Sequence, residues 1–335
     1  MELLNSAILQ THFVFRLEIN MTVSVMDVIR DQLSEKITVY LSKDTLDSLH
    51  KDCKDFEVKN ISEFTNLLVR NYVSDYFEMV YSSVPEITRI LSDSYEENTD
   101  TVRVAKEIAF VRTVSAKSNG ALKHKLNFRL NKKTINKAVE ALYNGPSSLD
   151  ISAFFRSMFL SYLSLPVYKR EQVIYKEELL QINTIIRNKE KMSYYRKDTG
   201  KSHTFNPYSI EASSHEMFNY LVGQFEHGQK HKSSIRISKI ANIVPIHEKA
   251  AFTPDFEECL EAMKRNGIQF AMDEVVTRKV ELTNDQYRAF NRKYFDRPEI
   301  VKEENYDGLH ICYFDCSKFQ LETYFSPFEN RIEIK

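Results

Sequence analysis

Tyrosine, arginine and lysine side chains recur through residues 195–239 in a combination that suits nucleic acid. Tyrosine rings offer flat faces for unstacked bases, and a nearby Arg or Lys takes phosphate charge. This combination predicts contact with a single-stranded nucleic acid or a similar anionic ligand. The alternative is a folded core that uses the tyrosines internally, with the cations on an exposed strand face. The candidate residues are Tyr195, Arg196, Tyr208, Tyr220, Arg236 and Lys239.

A second set of candidates lies on two short alternating segments, residues 37–41 and 126–130. Alternation with period two directs the apolar residues of a strand inward and the residues between them outward. Asn and Arg pair bidentately with adenine and guanine edges, and Lys contacts phosphates. The alternative is a solvated face without a ligand. The outward candidates are Thr38, Tyr40, Lys125, Asn127 and Arg129.

Catalytic chemistry is not indicated. Arg196 and His203 have the Arg-x6-His spacing of one class of ribonucleases, but that motif works on a helix and these residues flank a turn at Gly200. The sequence has no glycine-rich phosphate loop, nucleophile elbow or paired-carboxylate motif. Cys312 and Cys316, with the neighbouring His310, match no common zinc spacing. We therefore expect no enzyme, no metal and no cofactor.

The two alternating segments belong to a repeat. Residues 36–77 and 125–165 each predict a strand followed by two helices, which makes this the unit of folding. One strand alone leaves its backbone groups unpaired, so the two copies are expected to pair their strands antiparallel. The second helix of each copy carries the matching residues Ile61 and Ile151, Ser62 and Ser152, Phe64 and Phe154, and Tyr72 and Tyr162.

This order of elements resembles the ribbon-helix-helix family of DNA binders, whose two strands form a ribbon in the major groove. In that family two chains supply one strand each. Both strands lie on one chain here, so the resemblance implies an internal pseudo-dimer. The second copy is the more basic, because residues 123–137 contain no acid, whereas the first copy carries several.

The periodicity changes from helical to alternating near residue 191. A linker at residues 166–172 and a short amphipathic helix at residues 177–189 precede this change. Turn residues separate some of the strand-like segments that follow, as a small antiparallel barrel requires. The four predicted segments are residues 191–200, 201–213, 217–228 and 233–246.

These segments resemble a WYL domain, a small Sm-like barrel of bacterial regulators. Tyr220 and Leu221 match the naming motif, Tyr208 matches a Pro-Tyr pair, and Arg236 matches the first Arg of the closing strand. The resemblance implies a basic, aromatic pocket that senses a ligand, often nucleic acid. Asn219 stands where the family has Trp. Lys239 replaces the usual Arg and loses the bidentate fork.

The C-terminal part alternates helices and strands, ending in a predicted strand at residues 330–335. It resembles the extension that accompanies many WYL domains and often mediates dimers or closes over the ligand. We therefore predict an α+β, multidomain fold: a tandem ribbon-helix-helix pseudo-dimer, an Sm-like or SH3-like β-barrel, and a ferredoxin-like α/β sandwich. The predicted domains are an N-terminal extension (1–35), the tandem repeat with its helical insert (36–168), the WYL domain (171–247) and the extension (250–335).

Composition sets outer limits. Of the 335 residues, 42% are hydrophobic, and this amount supports two or three domains with proper cores. The net charge of −1 excludes a uniformly basic binder, so a nucleic-acid site must be a local patch. Four scattered cysteines, without a secretory signal or a long apolar run, indicate free thiols in a reducing cytoplasm.

The combined resemblances favour one function over two alternatives. A ribbon-helix-helix segment fused to a WYL domain resembles the WYL accessory proteins of type VI-D CRISPR systems, which bind single-stranded RNA and raise the activity of the RNA-guided ribonuclease. The implied partners are single-stranded RNA or DNA, a CRISPR effector ribonuclease and a second copy bound through the C-terminal domain, without a membrane. The lopsided charge of the ribbon favours single strands. The alternatives are a ligand-responsive transcriptional regulator that reads duplex DNA and a protein-assembly module.

Overall fold

The structure is a computed structural model that describes residues 26–93, 100–114, 121–143, 150–213, 217–226, 231–271, 274–293 and 295–326. The chain separates into two compact units, Met1–Leu165 and Pro166–Lys335. Helices and three antiparallel sheets make up these units, so the predicted α+β class is confirmed. Most of the predicted N-terminal extension and the predicted strand at residues 330–335 lie outside the described residues. None of the described helices has the length and apolar character needed to cross a membrane.

The first unit contains the two copies of the repeat, each folded as a strand followed by two helices. The elements in chain order are α1 (residues 26–34), β1 (Ile37–Leu41), α2 (Lys43–Asp55), α3 (Ile61–Tyr81), α4 (Val84–Ser92), α5 (Thr101–Val114), β2 (His124–Phe128), α6 (Lys132–Tyr143) and α7 (Ile151–Leu163). The copies are β1–α2–α3 and β2–α6–α7, and the predicted helical insert forms α4 and α5 between them.

Equivalent capping residues begin the helices of both copies. The Ser42 hydroxyl accepts a hydrogen bond from the Thr45 N–H at the start of α2, and Asn131 does the same for Thr134 at the start of α6. The second helices α3 and α7 begin at Asn60 and Asp150, whose side chains also accept a backbone N–H. These short polar side chains satisfy backbone donors that have no partner inside the helix. The capping residues therefore start the helices at equivalent positions in both copies.

The strands of the two copies pair antiparallel, with Ile37 opposite Phe128 and Leu41 opposite His124. This register is symmetric under exchange of the copies, and the pair Thr38 and Asn127 lies at the centre of the pseudo-two-fold. The inward-facing residues are buried as the alternation predicts, since their exposed fractions are between 0% and 7%. They are Ile37, Val39, Leu41, Leu126, Phe128 and Leu130.

Two symmetry-equivalent side chains close the ends of the ribbon. In one half, the Asn66 amide donates to the carbonyl oxygen of Arg129 at 2.9 Å and accepts from the Asn131 N–H at 2.8 Å. At the equivalent position in the other half, Arg156 Nε donates to the carbonyl oxygen of Tyr40 at 2.8 Å. Each copy therefore satisfies backbone groups at the end of the other copy's strand.

Aromatic residues of α3 and α7 form the core beneath the ribbon. The Phe154 ring is fully buried and lies 5.6 Å from the Phe77 ring and 5.7 Å from the Tyr76 ring, measured between centroids. The buried Tyr76 hydroxyl donates to Ser157 Oγ at 2.8 Å. Ring contacts at these separations add specific geometry to the apolar area buried.

The second unit contains a five-stranded sheet followed by a helical and three-stranded part. Its elements are α8 (Val167–Ile174), α9 (Lys176–Asn188), β3 (Glu190–Arg196), β4 (Lys201–Ala212), β5 (Asn219–Phe225), β6 (Lys232–Arg236), a 3₁₀ turn (Ile237–Lys239), β7 (Ile240–Lys249), α10 (Phe256–Asn266), β8 (Thr277–Thr283), α11 (Asn284–Arg292), β9 (Lys302–Tyr306), β10 (Leu309–Asp315) and α12 (Lys318–Phe325).

Two sequence predictions about this unit are corrected by the structure. The predicted linker at residues 166–172 is largely helical, since α8 begins at Val167 and Pro166 is its N-cap residue. The last predicted strand segment is two strands, since the 3₁₀ turn Ile237–Lys239 separates β6 from β7. The sheet therefore has five strands instead of four, in the order β6-β5-β4-β3-β7.

The predicted barrel is not closed by backbone pairing within the described residues. The edge strands β6 and β7 each pair with one neighbour only. Register shifts between Pro207 and Ser209, and between Ser193 and Tyr195, bend the sheet without bringing its edges into a ladder. At the first shift Gly223 is required, because an added Cβ would lie 2.1 Å from the Asn206 carbonyl oxygen.

The three-stranded sheet of the C-terminal part has the order β8-β10-β9. One face carries a core that includes Cys312, Cys316 and Phe314, packed beneath α11 and α12. All four cysteines of the chain are buried free thiols. Burial raises the pKa of Cys312 and of Cys316 to about 12. These two thiols are therefore protonated core residues at neutral pH.

We expect Phe154→Ala to destabilise the first unit by about 3–5 kcal/mol, because it leaves a large cavity among fully buried rings. Urea denaturation followed by circular dichroism measures the change. Val111→Ala, at a 57% exposed position of the same unit, is the control and should stay within about 0.5 kcal/mol of wild type. Equal losses in the two variants would contradict the proposed core.

Candidate nucleic-acid interface

The outward side of the two-stranded sheet is the first candidate interface, and we call it the ribbon face. It consists of Lys36, Thr38, Tyr40, Lys125, Asn127 and Arg129. Thr38 and Asn127 lie opposite one another at its centre, and the Thr38 hydroxyl donates to Asn127 Oδ1 at 2.8 Å. The two central side chains therefore satisfy part of each other's hydrogen-bonding capacity.

One end of the ribbon face combines an aromatic ring with a cation. Tyr40 is 40% exposed, and Lys125 lies opposite it with the ammonium group 5.4 Å from the ring centroid. Because Arg156 binds the Tyr40 carbonyl oxygen, the backbone beneath the ring is held in place. An exposed ring beside a cation is suited to one stacked base and its phosphate.

The other end of the ribbon face carries two cations. Arg129 is exposed, and the strand register, extended by one residue, places the exposed Lys36 opposite it. Neither side chain has an ion-pair partner in the part of the chain that the structure describes. The second copy contributes Lys125 and Arg129 to this face, and the first copy adds one cation that was not among the candidates, Lys36. Extending the alternation by one residue in the sequence would have found it.

In the second unit, Arg196 is engaged by an acid close in sequence. Its Nε and Nη2 atoms donate to the two carboxylate oxygens of Asp198 at 2.8 and 3.2 Å. These bonds lower the pKa of Asp198, and Lys239 acts in the same direction. Tyr195 lies beside Arg196 on β3 and is 37% exposed. This corner of the sheet is therefore a charged surface where Arg196 is already bound to the Asp198 carboxylate.

Tyr208 and Tyr220 belong to a core between the five-stranded sheet and α10. Tyr220 is 7% exposed, and Tyr208 packs against Phe252 and Phe256 with centroid separations of 5.2 and 4.9 Å. The Tyr208 hydroxyl donates to Glu257 Oε1 at 3.0 Å, and this bond raises the pKa of the tyrosine. Stacking on a ligand base would require Tyr220 to leave this core.

Arg236 lies at the end of β6, directly opposite Tyr220 on β5. Its guanidinium carbon is 3.4 Å from the centroid of the Phe218 ring, and its Nε is 3.7 Å from Glu171 Oε1. The Glu171 side chain has no exposed area, whereas the Arg236 side chain is 21% exposed. Arg236 therefore has a buried acid on one side and an aromatic ring against its face.

Hydrogen bonds from Asn219 hold the Glu171 side chain in this position. The backbone N–H and the side-chain Nδ2 of Asn219 donate to Glu171 Oε2 at 2.6 and 2.8 Å. The same Nδ2 donates to the Tyr168 carbonyl oxygen, and Gln172 donates to Asn219 Oδ1. Asn219 thus joins β5 to α8 through hydrogen bonds. Because residues 166–172 were predicted to form a linker, this role of Glu171 was not predicted.

The six residues predicted for this site fall into three groups. Tyr195, Arg196 and Lys239 lie at the junction of β3 and β7, Tyr208 and Tyr220 lie in the α10 core, and Arg236 lies against Phe218 and Glu171. Only Arg236 and Tyr220 are cross-strand neighbours in the described ladders. The sequence held one signal for Glu171. A proline is common at the start of a helix, so the residues after Pro166 could have been predicted as a helix that contains Glu171.

The residues weighed for other chemistry have other partners. His203 lies opposite Tyr194 on β4 and stacks on its ring, whereas Arg196 is bound to Asp198. His310 contacts Glu303 and Asn284 through its two ring nitrogens, and the hydrogen bond between His310 and Glu303 lowers the pKa of Glu303. Within the described ranges no group of three or more His, Cys, Asp or Glu residues is arranged to hold a metal ion.

Comparison with solved structures gives a similar fold. A crystal structure described as that of a CRISPR Cas-related protein matches with a TM-score of 0.67 and 18% identity, covering 90% of this chain and 88% of that chain. Proteasome accessory factor B/C (PafBC) of Arthrobacter aurescens matches with a TM-score of 0.24 and 11% identity, covering 70% and 32%. The first likeness shows a shared fold, and the second is too weak for that. No protein-family model matches the chain, and no curated protein matches it.

We expect the Glu171 carboxyl to make stability depend on pH. Its burial raises its pKa in the folded state, although Asn219 and Arg236 oppose the shift. The folded state therefore binds more protons than the unfolded state between the ordinary and the raised pKa. Across that interval, the free energy of unfolding of wild type should fall with rising pH relative to Glu171→Gln, which has no carboxyl there. Denaturation at several pH values measures this difference, and a rise with pH would contradict the assignment.

Proposed function

We propose that this protein binds single-stranded RNA and, as an accessory factor, raises the activity of an RNA-guided CRISPR ribonuclease. In this proposal the first unit is a tandem ribbon-helix-helix pseudo-dimer, and the five-stranded sheet belongs to a WYL domain. The ribbon face and the surface around Arg236 are the two RNA contacts. The observation that carries the proposal is the ribbon face, where an exposed ring lies among cations without acidic partners in the described chain.

The ribbon face suits a single strand because its ring is accessible. A base of a duplex is already stacked on both sides, whereas an unpaired base can stack on Tyr40. Such stacking contributes about 1–3 kcal/mol per base and depends little on sequence. Lys125 beside the ring, and Lys36 and Arg129 at the other end, supply charge for backbone phosphates.

The centre of the ribbon face favours sequence-tolerant binding. Asn127 would read adenine through both its amide oxygen and its amide nitrogen. Its oxygen already accepts the Thr38 hydroxyl, so a bidentate contact would have to share that oxygen with Thr38. Contacts to phosphates and to one stacked base do not involve this oxygen.

The CRISPR part of the proposal is supported by the fold. The structural neighbour described as a CRISPR Cas-related protein covers nine-tenths of this chain, including both units. An accessory role agrees with a chain in which the sequence indicates no catalytic motif. The resemblance to WYL accessory proteins supplies the expected direction of the effect, which is activation.

A transcriptional regulator that binds duplex DNA is the second candidate. The antiparallel pairing of β1 with β2 and the outward Arg129 favour it, since a two-stranded ribbon fits the major groove. The pseudo-two-fold relates Tyr40 to Arg129, so the two halves of this face differ chemically. Such a ribbon would read two unlike half-sites. Binding of a protein alone remains the third candidate.

We expect wild type to bind unstructured single-stranded RNA more tightly than duplex DNA of equal length at the same salt concentration. Tyr40→Ala should weaken RNA binding by about 1–3 kcal/mol through lost stacking. Arg129→Ala should lower the slope of log affinity against log salt by about 0.7, the value for one lost phosphate contact on a single strand. Fluorescence anisotropy with a labelled oligonucleotide measures both.

Tyr143→Ala and Arg89→Ala are the matched controls, because both side chains are exposed in the first unit away from the ribbon face. Both should bind RNA as wild type does. Tighter binding to duplex DNA that is lost in Arg129→Ala would favour the transcriptional regulator. Binding to neither nucleic acid would favour protein assembly.

Activation is tested with a purified type VI RNA-guided ribonuclease and a reporter RNA. Adding the wild-type protein should raise the initial cleavage rate, and Tyr40→Ala should raise it less. An unchanged rate in the presence of a protein that binds RNA would remove the accessory role while leaving RNA binding intact.

A further inference from the structure

The buried carboxylate of Glu171 is an unusual neighbour for a side chain expected to contact RNA. An acid close to the binding cation ordinarily weakens binding to an anion by repulsion. Glu171 nevertheless lies 3.7 Å from Arg236 and has no exposed area of its own. Its other oxygen accepts two hydrogen bonds from Asn219, so its position is determined by the protein interior.

Arg236 is constrained on two sides. The Phe218 ring covers one face of the guanidinium at 3.4 Å, and the carboxylate lies on the Nε edge. The stacked ring and the acid together limit the rotamers that this long side chain can adopt. Only about a fifth of the side chain is exposed, and that part is what a ligand can reach.

We propose that Glu171 is a positioning residue that holds the Arg236 guanidinium ready for a backbone phosphate of single-stranded RNA. This inference rests on the proposed function and assigns a role to a side chain that does not itself contact the ligand. Asn219 holds Glu171 in turn, and Phe218 supports the guanidinium face. The Arg236 side chain then loses its conformational entropy during folding, so less entropy is lost when the phosphate binds.

The sign of one effect separates positioning from simple electrostatics. If Glu171 acts only through its charge, removing that charge strengthens RNA binding, because a repulsive group is gone. Under the positioning role, removing it weakens binding, because the guanidinium is no longer held. The two readings therefore predict opposite changes for the nearly isosteric Glu171→Gln.

We expect Glu171→Gln to bind unstructured single-stranded RNA about tenfold more weakly than wild type at neutral pH, the factor for one lost charge-assisted hydrogen bond. The slope of log affinity against log salt should fall by about 0.7 as the phosphate contact is lost. Glu177→Gln removes an exposed carboxylate near the start of α9 and is the control. It should bind RNA at least as tightly as wild type. Circular dichroism verifies that each variant is folded.

Arg236→Lys provides a second test that leaves Glu171 unchanged. Lysine keeps the positive charge but lacks the planar fork that the carboxylate and the ring hold. It should lose as much affinity as Arg236→Ala, whereas a role of charge alone would leave binding near wild type. This variant gives an answer even if Glu171→Gln does not fold.

The outcomes distinguish the inference from the proposed function. Absence of RNA binding by wild type overturns both. RNA binding by wild type with unchanged or tighter binding by folded Glu171→Gln overturns the positioning role alone. Loss of affinity in Tyr40→Ala but not in Arg236→Ala likewise overturns the positioning role, and leaves RNA binding by the ribbon face standing.

Discussion

The pairing of β1 with β2 is the contact on which the first unit depends. Each strand has five residues, and within the described chain its only ladder partner is the strand of the other copy. The copies therefore fold together, because each leaves backbone groups unpaired without the other. Asn66 and Arg156, at equivalent positions in α3 and α7, extend this exchange to the carbonyl groups at the strand ends.

Duplication on one chain frees the two halves to differ, which identical subunits of a symmetric dimer cannot do. The inward residues remain apolar in both copies because both line one core. The outward residues have diverged, so that Tyr40 occupies the position equivalent to Arg129. The ribbon face therefore has an exposed tyrosine ring beside one lysine at one end and two cations at the other. This asymmetry fits a single nucleic-acid strand, which has a direction, better than a palindromic duplex, which has two identical half-sites.

Charges in the second unit are arranged differently. Arg196 binds Asp198, Arg236 lies against Glu171, and Lys232 donates to Asp255 at 2.6 Å. Burial of Glu171 and Lys232 is tolerated because each has an opposite charge nearby. Basic residues counted along the sequence thus overstate the charge available to a ligand there. The positive charge that a ligand can reach depends on how each acid holds its cation.

Local patterns in the sequence determined the repeat, the inward residues of both strands and most strands of the second unit. Alternation acts over a few residues, so Leu126 and Phe128 could be assigned directly to the core. The tertiary structure alone decided that the sheet stays open and that Glu171 lies behind Arg236. The contacts of Glu171 with Asn219 and Arg236 join residues 48 or more positions apart, and no local spacing encodes such pairs. The candidate binding residues could be chosen from the sequence, whereas the partners of their side chains were decided by packing.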